Sequence, residues 1–580
     1  MIFNKIFKSE LIKFSALRTI TNFLYKNYFK RTILATLIST FACFSEILGI
    51  LTIIPIFLIM TGDRIPESGF TNAVYDLFEK FGLTENILFV LIFFILAIVM
   101  KSLLKLVNSL LMGNTYALIS KDYRIAMVES IFKAKWNYFV TKRVGTLANA
   151  ISSEPDKAAN SFQYYVLFLN SIIQLSFYLC LSLATSFVVT FSAFIYALIL
   201  LIVVISIHKI LTSFTGAIVE GIKRMTGDLT EYLLLLKPIK AMNSGISINK
   251  MLNREADKVG YFYKKEIFLS SAVQSIQEPL VALFICLFLY LSINFFEFSI
   301  TEIVFLVFIF YRLMSYLASL QVSYLNVIRL ERYVQSILST INEAKNNKEE
   351  WNGKLPVRLK SKINFDNLTF QYTKKKVIKD LSLKFDSKKI NTLYGPSGIG
   401  KTTIFDLIIG LYKPNKGDIL IDDVPLREIN LKQWRDQIGY VPQETILLNN
   451  SILENITLGK KYEKKDIDFA IKASGIDEFL NKLPKKINSI VGERGIMLSG
   501  GQRQRISIAR ALIRKPTLIL LDEATANLDH ETERKICKIL KNISKKITII
   551  AISHNKEFTN IADNIFLFSR NKIKKIKKIN

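Results

Sequence analysis

The chain has 580 residues, half of them hydrophobic, a mean hydropathy of +0.30 and a formal charge of +29. This length allows two or three domains, and the hydropathy argues against a wholly water-soluble protein. The charge comes from lysines spread along a chain also rich in Ile and Asn, and no base-reading motif accompanies it, so nucleic acid is not an expected partner. Cys43, Cys180, Cys286 and Cys537 form no Cys-x-x-Cys pair, and His208, His530 and His554 are scattered, so neither disulfides nor a metal cluster is expected. The first apolar run is too long for the h-region of a cleavable signal peptide.

In chain order, six apolar stretches are long enough to cross a bilayer: Thr32–Met60, Ile87–Leu110, Tyr164–Ala184, Phe187–Ile207, Ser271–Ile293 and Ile300–Leu320. Only Thr185-Ser186 separates the third from the fourth, which reads as a tight external turn. Lys5, Lys8, Lys13, Arg18, Lys26, Lys30 and Arg31 precede the first span against a single Glu10. The following loop carries Asp63, Glu67, Asp76, Glu79 and Glu85 against Arg64 and Lys80, and the fifth-to-sixth loop carries Glu297 and Glu302 without a cation. By the positive-inside rule both termini face the cytoplasm. The connections Met112–Phe162 and Lys209–Leu269 keep helical apolar spacing, so the spans are expected to continue well beyond the membrane. Val74, Leu77, Phe78 and Phe81 fall at i, i+3, i+4 and i+7, the face of a short amphipathic helix at the outer surface or of a packed loop.

Glu46, Glu278 (beside Pro279) and Arg312 stand inside spans, each about 10 Å or more from the nearer helix end at about 1.5 Å per residue. Ionisable groups at such depth are costly and mark function or packing. One reading is a mutual salt bridge that fixes helix packing, another is a polar translocation cavity in which Arg312 meets a phosphate or pyrophosphate, and the rest are snorkelling or misplaced span limits.

Asn342–Pro356 is a polar linker, giving an all-α membrane domain over 1–341, a linker over 342–356 and an α/β domain of alternating strands and helices over 357–580. Gly395–Thr402 reads Gly-Pro-Ser-Gly-Ile-Gly-Lys-Thr. Gly395, Gly398 and Gly400 let backbone N–H groups wrap the phosphates of ATP, and the next helix points its N-terminus at the same charge. Ser397 and Thr403 belong to the same stretch, Lys401 adds a cation, and the Thr402 hydroxyl is placed to hold Mg2+. An apolar strand, Thr517–Leu521, delivers Asp522 to the metal and Glu523 to the attacking water as general base.

With Leu498–Gln502, which reads Leu-Ser-Gly-Gly-Gln, these segments resemble the ATP-binding cassette family, and Ile363–Phe568 is similar throughout to the nucleotide-binding domain of its exporters. The resemblance implies that Tyr372, just upstream of the first strand, stacks on adenine, and that Gln443 reaches Mg2+ and water. It implies that Ser499, Gly500, Gly501 and Gln502 grip the γ-phosphate bound by a partner subunit, that Asp529 closes the inter-subunit loop, and that His554, after the strand Ile547–Ile552, senses the γ-phosphate. The bland alternative for His554 is a satisfied core histidine. Ser489–Gly495 matches a stretch seen in exporters. Six spans fused to one cassette look like an exporter half-transporter in a bacterial cytoplasmic membrane, working as a homodimer because each ATP needs two copies. Asn555 after His554, where many exporters have Arg, and Ala526-Asn527, in place of a common Ser-Ala, depart from the pattern without removing a group that touches ATP.

Ser45-Glu46…Ile54-Pro55 and Tyr311-Arg312 also look like the flippases of lipid-linked oligosaccharides. The expected function is ATP-driven movement of an amphipathic, lipid-linked glycan to the outer leaflet. The alternatives are a general exporter of lipids, drugs or peptides, a non-transport cassette ATPase, and a channel or regulator gated by ATP.

Overall fold

The computed structural model describes residues 2–61, 69–84, 86–294, 300–372, 375–525, 528–569 and 572–576. Asp63, Arg64, Glu67, Glu85, Glu297 and Ala526-Asn527 lie outside the described residues, as do the side chains of Lys5, Lys8, Glu10, Lys13, Lys26 and His208. The chain divides into two compact units, Met1–Ala134 with Tyr138–Lys348, and Lys135–Asn137 with Glu349–Asn580.

The first unit is helical: α1 (Ile2–Leu51), α2 (Ile53–Thr61), α3 (Gly69–Lys80), α4 (Ile87–Phe132), α5 (Trp136–Val140, shared with the second unit), α6 (Val144–Ser152), α7 (Glu154–Thr185), α8 (Phe187–Leu234), α9 (Leu236–Ala241), α10 (Gly245–Asn294) and α11 (Ile300–Asn346). Helix α4 has 46 residues, α8 48, α10 50 and α11 47. Each is therefore about 70 Å long at about 1.5 Å per residue, more than twice the roughly 30 Å of a hydrocarbon core. The long connections thus continue the spans as helix. Asn27–Met60, Ile87–Phe132, Val144–Thr185, Gly245–Tyr290 and Ile300–Asn346 are long and apolar enough to cross a membrane, and Phe187–Val203 is a shorter apolar stretch. The fourth expected span, Phe187–Ile207, runs past that stretch onto side chains outside the described residues.

One detail differs from the sequence reading. The first span is broken between α1 and α2 at Thr52, whose hydroxyl bonds Gly49 O at 2.6 Å. Pro55 explains the break, because it lacks an N–H and its ring crowds the carbonyl four residues earlier. The short helix expected around Val74 forms as α3, with Val74 and Phe78 buried against the neighbouring helices and Leu77, like Phe81 just beyond its end, exposed. Away from the apolar core, Lys223 on α8 and Ser336 on α11 both meet the buried Glu154 at the start of α7, at 3.3 and 2.8 Å. Three helices are pinned there by one carboxylate.

The second unit contains β1 (Lys362–Tyr372), β2 (Lys375–Asp386), β3 (Ile390–Tyr394), α12 (Lys401–Ile409), β4 (Lys416–Ile421), β5 (Val424–Pro425), α13 (Leu431–Asp436), β6 (Ile438–Val441), α14 (Ile452–Thr457), α15 (Lys464–Ser474), α16 (Asp477–Leu480), α17 (Gly500–Leu512), β7 (Leu518–Asp522), α18 (His530–Ser544), β8 (Thr548–Ile552), α19 (Lys556–Ile561), β9 (Asn564–Ser569) and β10 (Lys572–Ile576). One antiparallel sheet runs β2-β1-β4-β5, and a second runs β10-β9-β3-β8-β7-β6, parallel except for the β10–β9 pair. Strands β3, β7 and β8 are apolar along most of their length, as strands covered on both faces must be. Trp434 on α13 is fully buried and donates its indole N–H to Ile408 O at 2.7 Å, closing the end of α12.

Replacing Trp434 with Ala empties that volume and strands the Ile408 carbonyl. The expected cost is about 3–5 kcal/mol, read as a lowered first thermal transition of the purified full-length protein. Trp434→Phe should recover part of the loss, since it restores volume without the hydrogen bond.

Candidate functional site

Four neighbouring parallel strands end at the same edge of the large sheet, in the order β3, β8, β7, β6. The chain leaving β3 is the Gly395–Gly400 loop, β8 leads to His554, β7 ends on Asp522 with Glu523 next, and β6 leads to Gln443. Chemistry at the carboxyl edge of a parallel sheet follows from this arrangement, because each strand exit is a loop facing the same crevice.

The loop is shaped to surround an anion. Gly398 has φ +77°, and a Cβ built there meets nothing within 4 Å, so the space inside the loop is open. Gly400 caps α12 with φ +103°, where a Cβ would come 2.9 Å from Val377 Cγ1. Only glycine suits both conditions. Lys401 is 6 % exposed, and its ammonium reaches the carbonyls of Gly395 and Pro396, the latter at 3.0 Å. Burial lowers the Lys401 pKa, opposed by the charges of Glu523 and Asp522. Burial raises the Asp522 pKa, and the Thr402 hydroxyl bonded to it acts the other way. An open cradle, a buried cation and adjacent Thr402 and Asp522 oxygens fit a nucleotide phosphate chain with its Mg2+.

Glu523 sits in left-handed backbone, φ +47°, a conformation that residues other than glycine seldom adopt. Its N–H is held by Ile552 O at 3.0 Å. Its carboxylate accepts from Gln443 Nε2 at 2.8 Å and lies 3.6 Å from His554 Nε2. His554 Nε2 is also 3.2 Å from the Lys401 ammonium, so it stands among charged groups at the cleft rather than in the core. Tyr372, Gly398, Lys401, Thr402, Gln443 and Glu523 line one cleft.

Tyr372 is the last residue of β1, not upstream of the first strand as the sequence suggested. Its hydroxyl lies 3.2 Å from that of Thr403 and donates to Asp406 at 3.4 Å, while its ring meets Phe370 and Tyr412 edge-on. Burial pushes the Asp406 carboxyl up to about 6. Asp406 was missed at the sequence level because nothing in its own motif marks it. The strands expected at Thr517–Leu521 and Ile547–Ile552 are observed one residue later at their starts, as β7 and β8.

Ser499 caps α17, accepting from Gln502 N at 3.3 Å while the Gln502 side chain accepts from Ser499 N at 2.9 Å. Gly500 and Gly501 stand in the first turn of that helix, the kind of helix start that can take an anion. Asp529 caps α18 through Thr532 N at 2.9 Å, which lowers its pKa. Neither Ser499–Gln502 nor Asp529 belongs to the cleft lined by the described residues of the glycine loop.

In the helical unit, Glu46 is 2 % exposed and meets three partners: Arg312 at 3.1 Å, Lys101 at 3.0 Å and the Tyr316 hydroxyl at 2.8 Å. The expected mutual bridge therefore forms between Glu46 and Arg312 but excludes Glu278. That residue is exposed on α10 and joins no ion pair among the described residues. Lys101 was missed, although the rule that singled out Glu46 also applies to a lysine inside Ile87–Leu110.

A protein-family model described as ABC transporter matches residues 378–526. A putative export ATP-binding/permease protein of Rickettsia typhi is 29% identical over 86% of this chain and 88% of its own length. A multidrug resistance ABC transporter ATP-binding and permease protein of Lactococcus lactis is 39% identical over 34% of each chain. Among solved structures, a bacterial Atm1-family ABC exporter with ATP bound matches with a TM-score of 0.77 at 19% identity, covering 94% of this chain and 95% of that one.

The raised Asp406 pKa makes a signed prediction. The fold favours the protonated form, so the stability it contributes is complete below the ordinary value of 3.8 and is lost as pH rises through about 6. Asp406→Asn should therefore raise the melting temperature at pH 8, with the gain shrinking towards pH 5. A gain independent of pH would mean that the ionised carboxylate is not the cause.

Proposed function

From the premise that this chain is an ATP-hydrolysing half-transporter of the ATP-binding cassette exporter type, a multi-pass membrane protein, we propose that it moves an amphipathic, lipid-linked glycan from the cytoplasmic to the outer leaflet of a bacterial cytoplasmic membrane. The observation that carries this reading is the Glu46–Arg312–Lys101 cluster within the apolar stretches of α1, α4 and α11. A phosphate-bearing head group needs cations along its path, while a polyprenyl tail can stay in lipid. The Lactococcus relative supports a second reading, a general exporter of hydrophobic compounds on the same scaffold.

The ATP chemistry is assigned residue by residue. Tyr372 stacks on adenine. Backbone N–H groups of Gly395–Thr403, with the Ser397 hydroxyl and the Lys401 ammonium, bind the phosphates. Thr402, Asp522 and Gln443 hold Mg2+, which when bound neutralises phosphate charge. Glu523 takes the proton from the attacking water, Gln443 fixes its carboxylate, and His554 contacts the γ-phosphate. Ser499–Gln502 and Asp529 serve the ATP of a second copy, so a homodimer completes two sites. Both termini lie on the cytoplasmic side, where ATP is. Closure of the paired cassettes on ATP biases the membrane helices outward. Substrate alters turnover only through unequal affinity for the inward and outward states.

In lipid nanodiscs, Glu523→Gln should bind ATP but turn over near background, and normal hydrolysis would remove Glu523 as the base. Lys401→Ala should weaken nucleotide binding itself, measured directly by titration. Wild-type turnover should be stimulated by a polyprenyl-pyrophosphate oligosaccharide and not by a cationic drug or a short peptide. Arg312→Ala should lose that stimulation. Stimulation by the drug or peptide alone would transfer the assignment to the general exporter.

A further inference from the structure

The cluster around Glu46 is unbalanced. Lys101 and Arg312 share one carboxylate, so two cations face one anion within a membrane-spanning region. A helix staple needs only one cation, and the surplus charge is expensive in surroundings of low dielectric. Accessibility is unequal as well. Glu46 is 2 % exposed, whereas the Lys101 and Arg312 side chains retain 28 % and 30 %. Anything arriving from outside the cluster meets the cations first.

Hydrogen bonding points the same way. Among the described residues, Arg312 Nε and the Tyr178 hydroxyl are buried without a hydrogen-bond partner. Tyr178 is fully buried with its ring 5.2 Å from that of Tyr316, which places it beside the carboxylate that Tyr316 holds. Unused donors next to an excess of positive charge call for an acceptor that carries negative charge. Glu46 has somewhere to go if that acceptor arrives, because the Tyr316 hydroxyl donates to its other oxygen, Oε2.

We propose that Lys101 and Arg312 form a two-cation seat for a phosphate-bearing head group, and that Glu46 is a built-in anion which this group displaces. The inference rests on the reading above that the substrate carries phosphate, and it adds Lys101 as a specificity-determining residue and Glu46 as a competitor. In the empty seat Glu46 holds the two cations. In the occupied seat the phosphate oxygens take both, the Arg312 Nε donor is satisfied, and Glu46 falls back on Tyr316. A neutral lipid of the same length cannot make this exchange.

The test is one of sign, because a plain structural bridge and a displaceable anion respond oppositely to loss of the carboxylate. Full-length protein in nanodiscs would be titrated with a polyprenyl pyrophosphate and with the matching uncharged polyprenol, reading the half-stimulating concentration of ATP turnover. In parallel, inorganic pyrophosphate binding would be measured calorimetrically with excess ADP filling the nucleotide sites. Lys101→Met should raise the pyrophosphate values on the order of tenfold, and Glu46→Gln should lower them. Glu46→Asp, which keeps the charge but shortens its reach, should lower them less and serves if Glu46→Gln does not fold. Shifts in the same direction for Lys101→Met and the Glu46 variants, or no shift, would overturn the seat, as would absence of any pyrophosphate binding. If lipid fails to stimulate the wild type but inorganic pyrophosphate binding shows the opposite shifts, the glycolipid reading falls and the anion seat stands.

Discussion

Everything in the ATPase unit depends on the parallel register of β3, β8, β7 and β6. Parallel pairing makes all four strands leave the sheet at the same edge, so residues from four distant parts of the sequence arrive in one crevice. Glu523 is brought to Gln443 across 80 positions and Lys401 to His554 across 153. The antiparallel sheet stands apart from these exits and adds Tyr372 from the end of β1. Apolar strands set the register, and the polar groups simply follow at the strand ends.

The same economy of burial governs charge. Lys401 and Asp522 are almost wholly buried, and each is tolerated because an opposite charge or a hydrogen-bond donor lies beside it. Water is kept from them without leaving them unpaired. In the helical unit the balance is incomplete: Glu46 is over-supplied with cations, while Glu154 is shared between one lysine and one serine with no surplus. Two buried carboxylates on similar helices thus do different work. One pins helices, and the other leaves positive charge available.

Much of this was legible from residue order. The glycine loop, the Asp522-Glu523 strand end and the Ser499–Gln502 cap are local patterns, and the structure forms each with the expected element: a turn, a buried strand, a helix start. Helices extending past the membrane were legible too, because helical apolar spacing persisted through both long connections with few Gly or Pro residues. Pro55 also carried its signal, and the break at Thr52 follows from general rules on proline. What spacing alone left open is facing. Leu77 and Phe81 share helical periodicity with Val74 and Phe78, yet only the latter pair meets a neighbouring helix.

Glu278 and Lys101 make the point most directly. Both are charges inside apolar stretches, Glu278 beside Pro279 and Lys101 four residues before Lys105, and nothing in either stretch says which of them reaches Glu46. Rotation of α10 leaves Glu278 exposed, while α4 packs its Gly49-facing side on α1, with Ala97 and Lys101 one turn apart, and so carries Lys101 to Glu46. Sequence by itself determined which elements form and which chemical groups stand at their ends, because turns, caps and strand exits are set by a few adjacent residues. Tertiary structure alone decided which distant charges share a partner, because that depends on helix rotation and strand order, and these are fixed by the packing of the whole core rather than by any local stretch.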